Sequence, residues 1–194
     1  VEAVQAEQVS REDARQFLEL PLDAWVVGNV GRLHPDKDQT TLIKGFAKAL
    51  PELPTGSLLA IMGSGRLEQQ LKQLAADLGV ADSVRFLGQV PSGRRYFKAF
   101  DLFALTSDHE PFGMVLLEAM AAGVPVIATD CGGAKEVVRD AALRFQLGDT
   151  DKLAVLLQSQ PSRKNESTEL DQFSDYAVQY QFDKITQHWR TGLV

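Results

Sequence analysis

Cysteine is almost absent from this chain: Cys131 is the single one in 194 residues. No internal disulfide can form, and the expected setting is a reducing compartment. Basic runs are missing too. The 20 Lys and Arg face 26 Asp and Glu, a net charge of −6, and the densest basic spot is only Gly93-Arg94-Arg95. That excludes a general nucleic-acid binder. No apolar stretch approaches the roughly eighteen residues a membrane helix needs. The stretch Val1–Arg15 is polar and acidic, without the pattern of a secretory leader. Internal repeats and low-complexity segments are lacking as well. What remains is ordinary for a globular protein, 44% hydrophobic and 24% charged, and long enough to bury a core unaided.

Short apolar runs alternate with helical patterns. The runs are Trp25–Val30, Leu58–Met62, Val84–Leu87, Leu102–Leu105, Val124–Ala128 and a weaker Leu143–Phe145. They show little apolar–polar alternation, as strands covered on both faces do. Helical spacing occupies Gln39–Leu50 (Leu42, Phe46, Leu50) and Leu67–Leu78 (Leu67, Leu71, Leu74, Leu78). Shorter helical patterns cover Ser92–Phe100, Gly113–Ala122, Gly133–Arg139 and Asp151–Leu157. This order predicts a doubly wound parallel α/β sheet, Rossmann-like, with right-handed crossovers. Residues 24–157 form that domain. Residues 1–23 form a lead-in helix, begun by a capping-box-like Ser10-Arg-Glu-Asp13, and a linker. Residues 158–194 supply a polar loop over Gln158–Thr168 and an aromatic-sided amphipathic helix over Phe173–Trp189.

Two segments carry the chemistry. In Glu110-Pro-Phe-Gly-Met-Val-Leu-Leu-Glu118, a loop enters an apolar helix that bears one carboxylate about a turn and a half in. The helix start at Phe112, Gly113, Met114 and Val115 offers free amides suited to phosphate. Glu110 and Glu118 suit sugar hydroxyls; the same spacing also fits a helix cap and a buried salt bridge from Glu118 to a cation. In Gly28-Asn-Val-Gly-Arg32-Leu-His-Pro-Asp-Lys37-Asp38, Arg32 and Lys37 lie on the loop after the first strand, where open α/β sheets bind ligands. They would clamp a diphosphate, or Lys37 would simply pair with Asp36 or Asp38 in a solvated loop.

Several other patterns carry no site. Asp149-Thr-Asp151 reads as a helix N-cap rather than a divalent-metal motif. At Asp36-Lys-Asp38, Lys37 already supplies the positive charge. His109-Glu110 matches the start of a zinc-protease motif, but Gly113 stands where the second His belongs. Gly63-Ser-Gly65 lacks the third glycine of a nicotinamide fingerprint. Cys131 reads as a small, half-buried residue. No metal site is predicted.

These motifs together resemble glycosyltransferase family 4. They are Gly31-Arg32-Leu with Lys37, Met62-Gly-Ser-Gly65, Arg85-Phe-Leu-Gly88, Glu110-x7-Glu118, Ala119-Met-Ala-Ala-Gly-Val-Pro-Val-Ile-Ala128 and Gly132-Gly-Ala-Lys-Glu136. The resemblance covers about Ala24 to Leu157. One departure is Asp38, where the family often has glycine; aspartate tolerates the left-handed backbone better than most residues.

The resemblance implies the carboxy-terminal, donor-binding half of a two-domain GT-B fold and a retaining reaction. Arg32 and Lys37 would hold the donor diphosphate with the amides of Gly113, Met114 and Val115. Glu118 would take the ribose hydroxyls and Glu110 the transferred sugar. Leu87 and its neighbours in Phe86–Val90 would pack on the base, and Gly63 and Gly65 would admit the nucleotide. Arg32, Lys37 and Glu110 would be the catalytic set, acting by charge and position without a protein nucleophile. The donor would be a UDP-, GDP- or ADP-linked sugar, with no cofactor and no metal. A glycan or lipid-linked acceptor would bind through an amino-terminal half outside this chain, so the chain alone would bind donor but transfer nothing. Cell-envelope polysaccharide or lipopolysaccharide synthesis fits the family, in the cytoplasm or peripherally at the inner membrane face. The alternatives are a sugar-nucleotide epimerase, a sugar-phosphate synthase, or a non-enzymatic nucleotide-binding module.

Overall fold

The computed structural model describes residues 7–163. The segment 173–189, expected as an amphipathic helix, lies outside them. Six strands form one parallel sheet: β1 (Val26–Val30), β2 (Leu58–Met62), β3 (Val84–Gly88), β4 (Leu102–Leu105), β5 (Val126–Thr129) and β6 (Arg144–Phe145). Their spatial order is β3-β2-β1-β4-β5-β6, the doubly wound order in which chain direction across the sheet reverses between β1 and β4.

Successive strand residues feed two separate cores, which is why the strands read as unbroken apolar runs. Val26, Ala60, Met62, Phe103, Leu105 and Ala128 belong to one core. Val27, Leu59, Ile61, Leu102, Ala104 and Ile127 belong to the other. The first core is closed by α1 (Arg11–Phe17), a 3-10 segment (Gly93–Ala99), α4 (Met114–Ala121) and α5 (Ala134–Val137). The second is closed by α2 (Gln39–Ala49), α3 (Glu68–Asp77) and α6 (Thr150–Arg163).

Among the described residues the expected elements appear, with three differences. Ser92–Phe100 winds as 3-10 turns and not as an α-helix. The expected loop from Gln158 is helical as far as Arg163, with Pro161 inside the helix. Buried Leu153, Ala154, Leu156 and Leu157 anchor α6, and extending an existing helix by a turn costs little. The lead-in helix is not an appendage. Ser10 caps it by accepting from the Asp13 amide at 3.0 Å, and its Arg15 is wholly buried.

Arg15 is the hub of the sheet's lower edge. Its guanidinium donates to the carbonyls of Ala99, Pro21 and Ala24 and to Asp101 Oδ2 at 2.8 Å. That same carboxylate oxygen accepts the Val26 amide at 2.8 Å, while Oδ1 accepts Arg11 at 2.9 Å. Burial pulls the Arg15 guanidinium below its ordinary value, with nearby Arg11 acting the same way and Asp101 pulling back. Among the described residues no helix is long and apolar enough to cross a membrane.

Candidate functional site

The crevice opens where the loops after β1 and β4 part. The β1–β4 ladder pairs Val27 with Leu102 and Gly28 with Phe103. Next along, the Asn29 side chain donates to the Ala104 carbonyl at 2.8 Å. From there the chain leaves β1 for α2 on one face and β4 for α4 on the other.

Residues 31–38 and 106–113 form the two walls, and they are sewn together. The Asp36 carbonyl accepts the Asp108 amide at 3.0 Å, and the Lys37 carbonyl accepts the Thr106 hydroxyl at 2.8 Å. Across the gap Lys37 Nζ meets Glu110 Oε2 at 3.1 Å. Neither expected local partner of Lys37 takes it. Asp36 instead joins Arg32 at 3.3 Å and His34 at 2.5 Å. Burial pushes the Asp36 carboxyl up, but the His34 hydrogen bond and the charges of His34, Lys37 and Arg32 hold it below its ordinary value. Asp38 adopts the left-handed conformation (φ 43°, ψ 46°) and caps α2 through the Thr41 amide at 3.2 Å, so the family departure at 38 keeps the turn.

Gly113 (φ 65°) starts α4 without a side-chain cap. Among the described residues, the amides of Gly113, Met114 and Val115 meet no acceptor, whereas those of Leu116 and Leu117 turn back to the Gly113 carbonyl. Phe112 and Met114 are exposed beside them. Glu118 sits on the second turn of α4, half-buried. The salt bridge that would explain it structurally is absent among the described residues. Burial pushes its carboxyl above the ordinary value, against the pull of Arg94.

The remaining expected residues fall on the same rim with different local reasons. A Cβ on Gly63 (φ 141°) would lie 1.9 Å from the Gly31 carbonyl oxygen, and one on Gly65 would lie 2.3 Å from that of Leu33. Both glycines are thus required by the Arg32 loop itself, before any ligand. Leu87 packs on the first core, while Phe86 belongs to the opposite layer, under the Lys72 ammonium at 5.6 Å. Phe86 therefore faces away from Leu87. Asp149 caps α6 through the Lys152 amide at 2.9 Å, and Asp151 pairs with Lys48 at 2.7 Å.

Sequence reasoning missed three things. One is the Lys37–Glu110 pair, 73 positions apart. Another is the support of Glu110 by the β5–α5 turn: its carbonyl accepts the Gly133 amide at 2.6 Å, and a Cβ on Gly132 would lie 2.7 Å from that oxygen. Gly132-Gly133 in the sequence was the available signal. The third is a set of buried polar atoms, Asn29 Oδ1, Gln39 Oε1 and Ser107 Oγ, with no hydrogen-bond partner among the described residues. Asn29 lies in β1, Ser107 two residues beyond β4, and Gln39 opens α2 with its amide nitrogen on the Arg32 carbonyl. Cys131 is half-buried, its thiol 3.1 Å from the Ser107 carbonyl.

Fold and crevice together define an open α/β domain of the Rossmann-like kind, with cations, carboxylates and a free helix end at the switch point. Comparison with known proteins gives its family. The family model described as glycosyl transferases group 1 matches residues 10–168, and the chain belongs to that family. It is 39% identical over 142 residues to the lipopolysaccharide core biosynthesis glycosyltransferase LpsE of Rhizobium meliloti (strain 1021), covering 72% of this chain and 40% of that protein. The crystal structure of Anabaena Alr3699/HepE in complex with UDP matches with a TM-score of 0.79 and 28% identity, covering 97% of this chain and 55% of that one. Sucrose-phosphate synthase from Thermosynechococcus elongatus matches with a TM-score of 0.79 and 27% identity, covering 96% of this chain and 50% of that one. The sheet is the Rossmann-like unit of the GT-B glycosyltransferases, and the chain spans about two fifths to about half the length of these relatives.

Proposed function

We propose that this chain is the nucleotide-sugar (donor) domain of a retaining glycosyltransferase acting on a glycan or glycolipid acceptor, in cell-envelope polysaccharide or lipopolysaccharide synthesis. The observation that carries this reading is the meeting of Lys37 and Glu110 at 3.1 Å across the switch point, beside the uncapped start of α4. A nucleotide sugar needs both a cationic seat for its diphosphate and carboxylates for its hydroxyls, and this crevice offers both.

Arg32, its side chain 72% exposed and held among the described residues by a surface ion pair to Asp36, swings to the diphosphate and grips it as a fork. Lys37 adds a point charge, and the amides of Gly113, Met114 and Val115 add the positive end of α4. Glu118 takes the ribose hydroxyls and Glu110 those of the transferred sugar. In the reaction the bond between the anomeric carbon and the diphosphate oxygen breaks while positive character builds on the sugar. Positive charge already in place around the leaving diphosphate stabilises that transition state more than any other group such a site supplies. Glu110 positions the sugar and does not attack it. The aspartates of the two D-x-D patterns serve as caps and ion pairs, Asp36 with His34 once Arg32 has moved, and in this reading protein groups neutralise the diphosphate. The acceptor binds through the remainder of the enzyme, and turnover requires it.

UDP in the Anabaena relative, and the lipopolysaccharide core role in the name of LpsE, support the ligand class and the setting. A second reading, a sugar-phosphate synthase, is favoured by the likeness to sucrose-phosphate synthase; the product formed by the full enzyme from sugar-phosphate and glycan acceptors separates the two. Calorimetry with UDP-, GDP- and ADP-sugars tests the donor site. One of them binds, and Arg32→Ala and Lys37→Ala each weaken it. Absence of binding at millimolar ligand, or unchanged affinity in both variants, refutes the reading.

A further inference from the structure

The two groups assigned to different parts of the donor, Lys37 to the diphosphate and Glu110 to the sugar, are bonded to each other at 3.1 Å. We infer that this ion pair is an exchangeable latch that makes the site discriminate a nucleotide sugar from the bare nucleoside diphosphate. The inference rests on the donor-site reading above.

The pair has the properties an exchange needs. Its side chains retain 21% and 13% of their exposure, so both ends are reachable from the crevice. It is also not what holds the walls together. The Thr106 hydroxyl bonds the Lys37 carbonyl, the Asp108 amide bonds the Asp36 carbonyl, and the Gly133 amide bonds the Glu110 carbonyl. With both backbones pinned, opening the latch takes only side-chain rotation.

The two ligands meet the opened latch differently. A diphosphate that draws Lys37 away leaves Glu110 largely desolvated, without a counter-charge, and next to further negative charge. That cost is subtracted from nucleoside diphosphate binding. A nucleotide sugar draws Lys37 away equally but presents hydroxyl donors to Glu110, which offset the loss. After transfer the sugar has gone to the acceptor. Glu110 then faces the bare diphosphate, and its recapture of Lys37 favours release of the spent nucleotide.

The test compares wild type, Glu110→Gln and Lys37→Met. Calorimetry uses the pairs UDP and UDP-glucose, GDP and GDP-mannose, and ADP and ADP-glucose, with thermal unfolding alongside. Gln removes the charge that competes for Lys37 but keeps shape and hydrogen-bonding ability. Glu110→Gln should bind the nucleoside diphosphate roughly three- to tenfold more tightly, the scale of one half-buried ion pair. Its nucleotide-sugar affinity should not rise, so the ratio between the two ligands collapses, and its melting temperature should stay near that of wild type. Unchanged or weaker nucleoside diphosphate binding in Glu110→Gln, or equal tightening for both ligands, overturns the latch. If Lys37→Met weakens both ligands while Glu110→Gln fails to tighten the diphosphate, the donor site stands and only the latch falls. If wild type binds neither ligand, or Lys37→Met changes nothing, the donor-site reading fails and the latch with it.

Discussion

Removing the Asp101 carboxylate should cost more stability than any surface change, without touching the ligand site. Its side chain is 1% exposed and accepts from Arg15 Nη2 and the Val26 amide at 2.8 Å each and from Arg11 Nη2 at 2.9 Å. Asp101→Ala leaves the Arg15 guanidinium, 0% exposed, with its carbonyl partners and the more distant charge of Asp23 but without its bonded carboxylate, and leaves the first amide of β1 without an acceptor. Breaking a buried pair from one side costs about 3–5 kcal/mol, a large part of the roughly 5–15 kcal/mol that holds a domain folded. With a urea slope of about 2 kcal/mol per molar, the midpoint should fall by roughly 1.5–2.5 M. Asp151→Ala is the internal control. It breaks the exposed Lys48–Asp151 pair, where Asp151 is 86% exposed, and should cost under about 1 kcal/mol. Urea unfolding followed by circular dichroism reads both. Equal, small shifts in the two variants would refute the claim that the Arg15 hub ties α1 to β1 and β4.

Three further outcomes follow from the site. Glu118 has a raised carboxyl value in the folded protein, so its ionisation opposes folding; that cost grows as pH rises through the acid range and is fully present at neutral pH. Glu118→Gln should therefore melt higher than wild type at pH 7 and lose that advantage in acid below the ordinary carboxylate range, while binding nucleotide more weakly; a lower melting temperature at pH 7 would contradict this. Gly63→Ala should destabilise the chain by about 2 kcal/mol or more, since both its φ of 141° and the Gly31 carbonyl oxygen at 1.9 Å oppose a Cβ; chemical denaturation checks it. Arg32→Ala should leave stability within about 0.5 kcal/mol of wild type, as expected of a side chain 72% exposed, yet reduce nucleotide-sugar affinity about tenfold or more in calorimetry.

The sheet was legible because strands covered on both faces are mostly apolar along their whole length. Leu58–Met62 and Leu102–Leu105 coincide with β2 and β4 residue for residue. The fifth strand starts at Val126 and not at Val124, because the Pro125 carbonyl is already accepting the Phe103 amide as the chain enters the sheet. Local rules also placed the caps at Ser10 and Asp149. Long-range charge pairing was not legible. Spacing favours Asp36 or Asp38 for Lys37, and only the fold brings Glu110 to it. The burial of Arg15 was not legible either, since nothing local announces that Asp101 will lie beside it. Gly63 and Gly65 were visible as a turn, but their reason, the backbone of the Arg32 loop lying against them, belongs to tertiary structure.

The most direct test of the account is where a nucleotide sugar lands on this chain. Amide chemical-shift mapping during titration with whichever UDP-, GDP- or ADP-sugar binds reports this residue by residue. The largest changes should fall at Gly113, Met114 and Val115, with Gly31, Lys37 and Glu118 next. Changes centred elsewhere, for example on Lys72, Phe86 and the outer edge of β3, with the Gly113–Val115 amides unmoved, would contradict it.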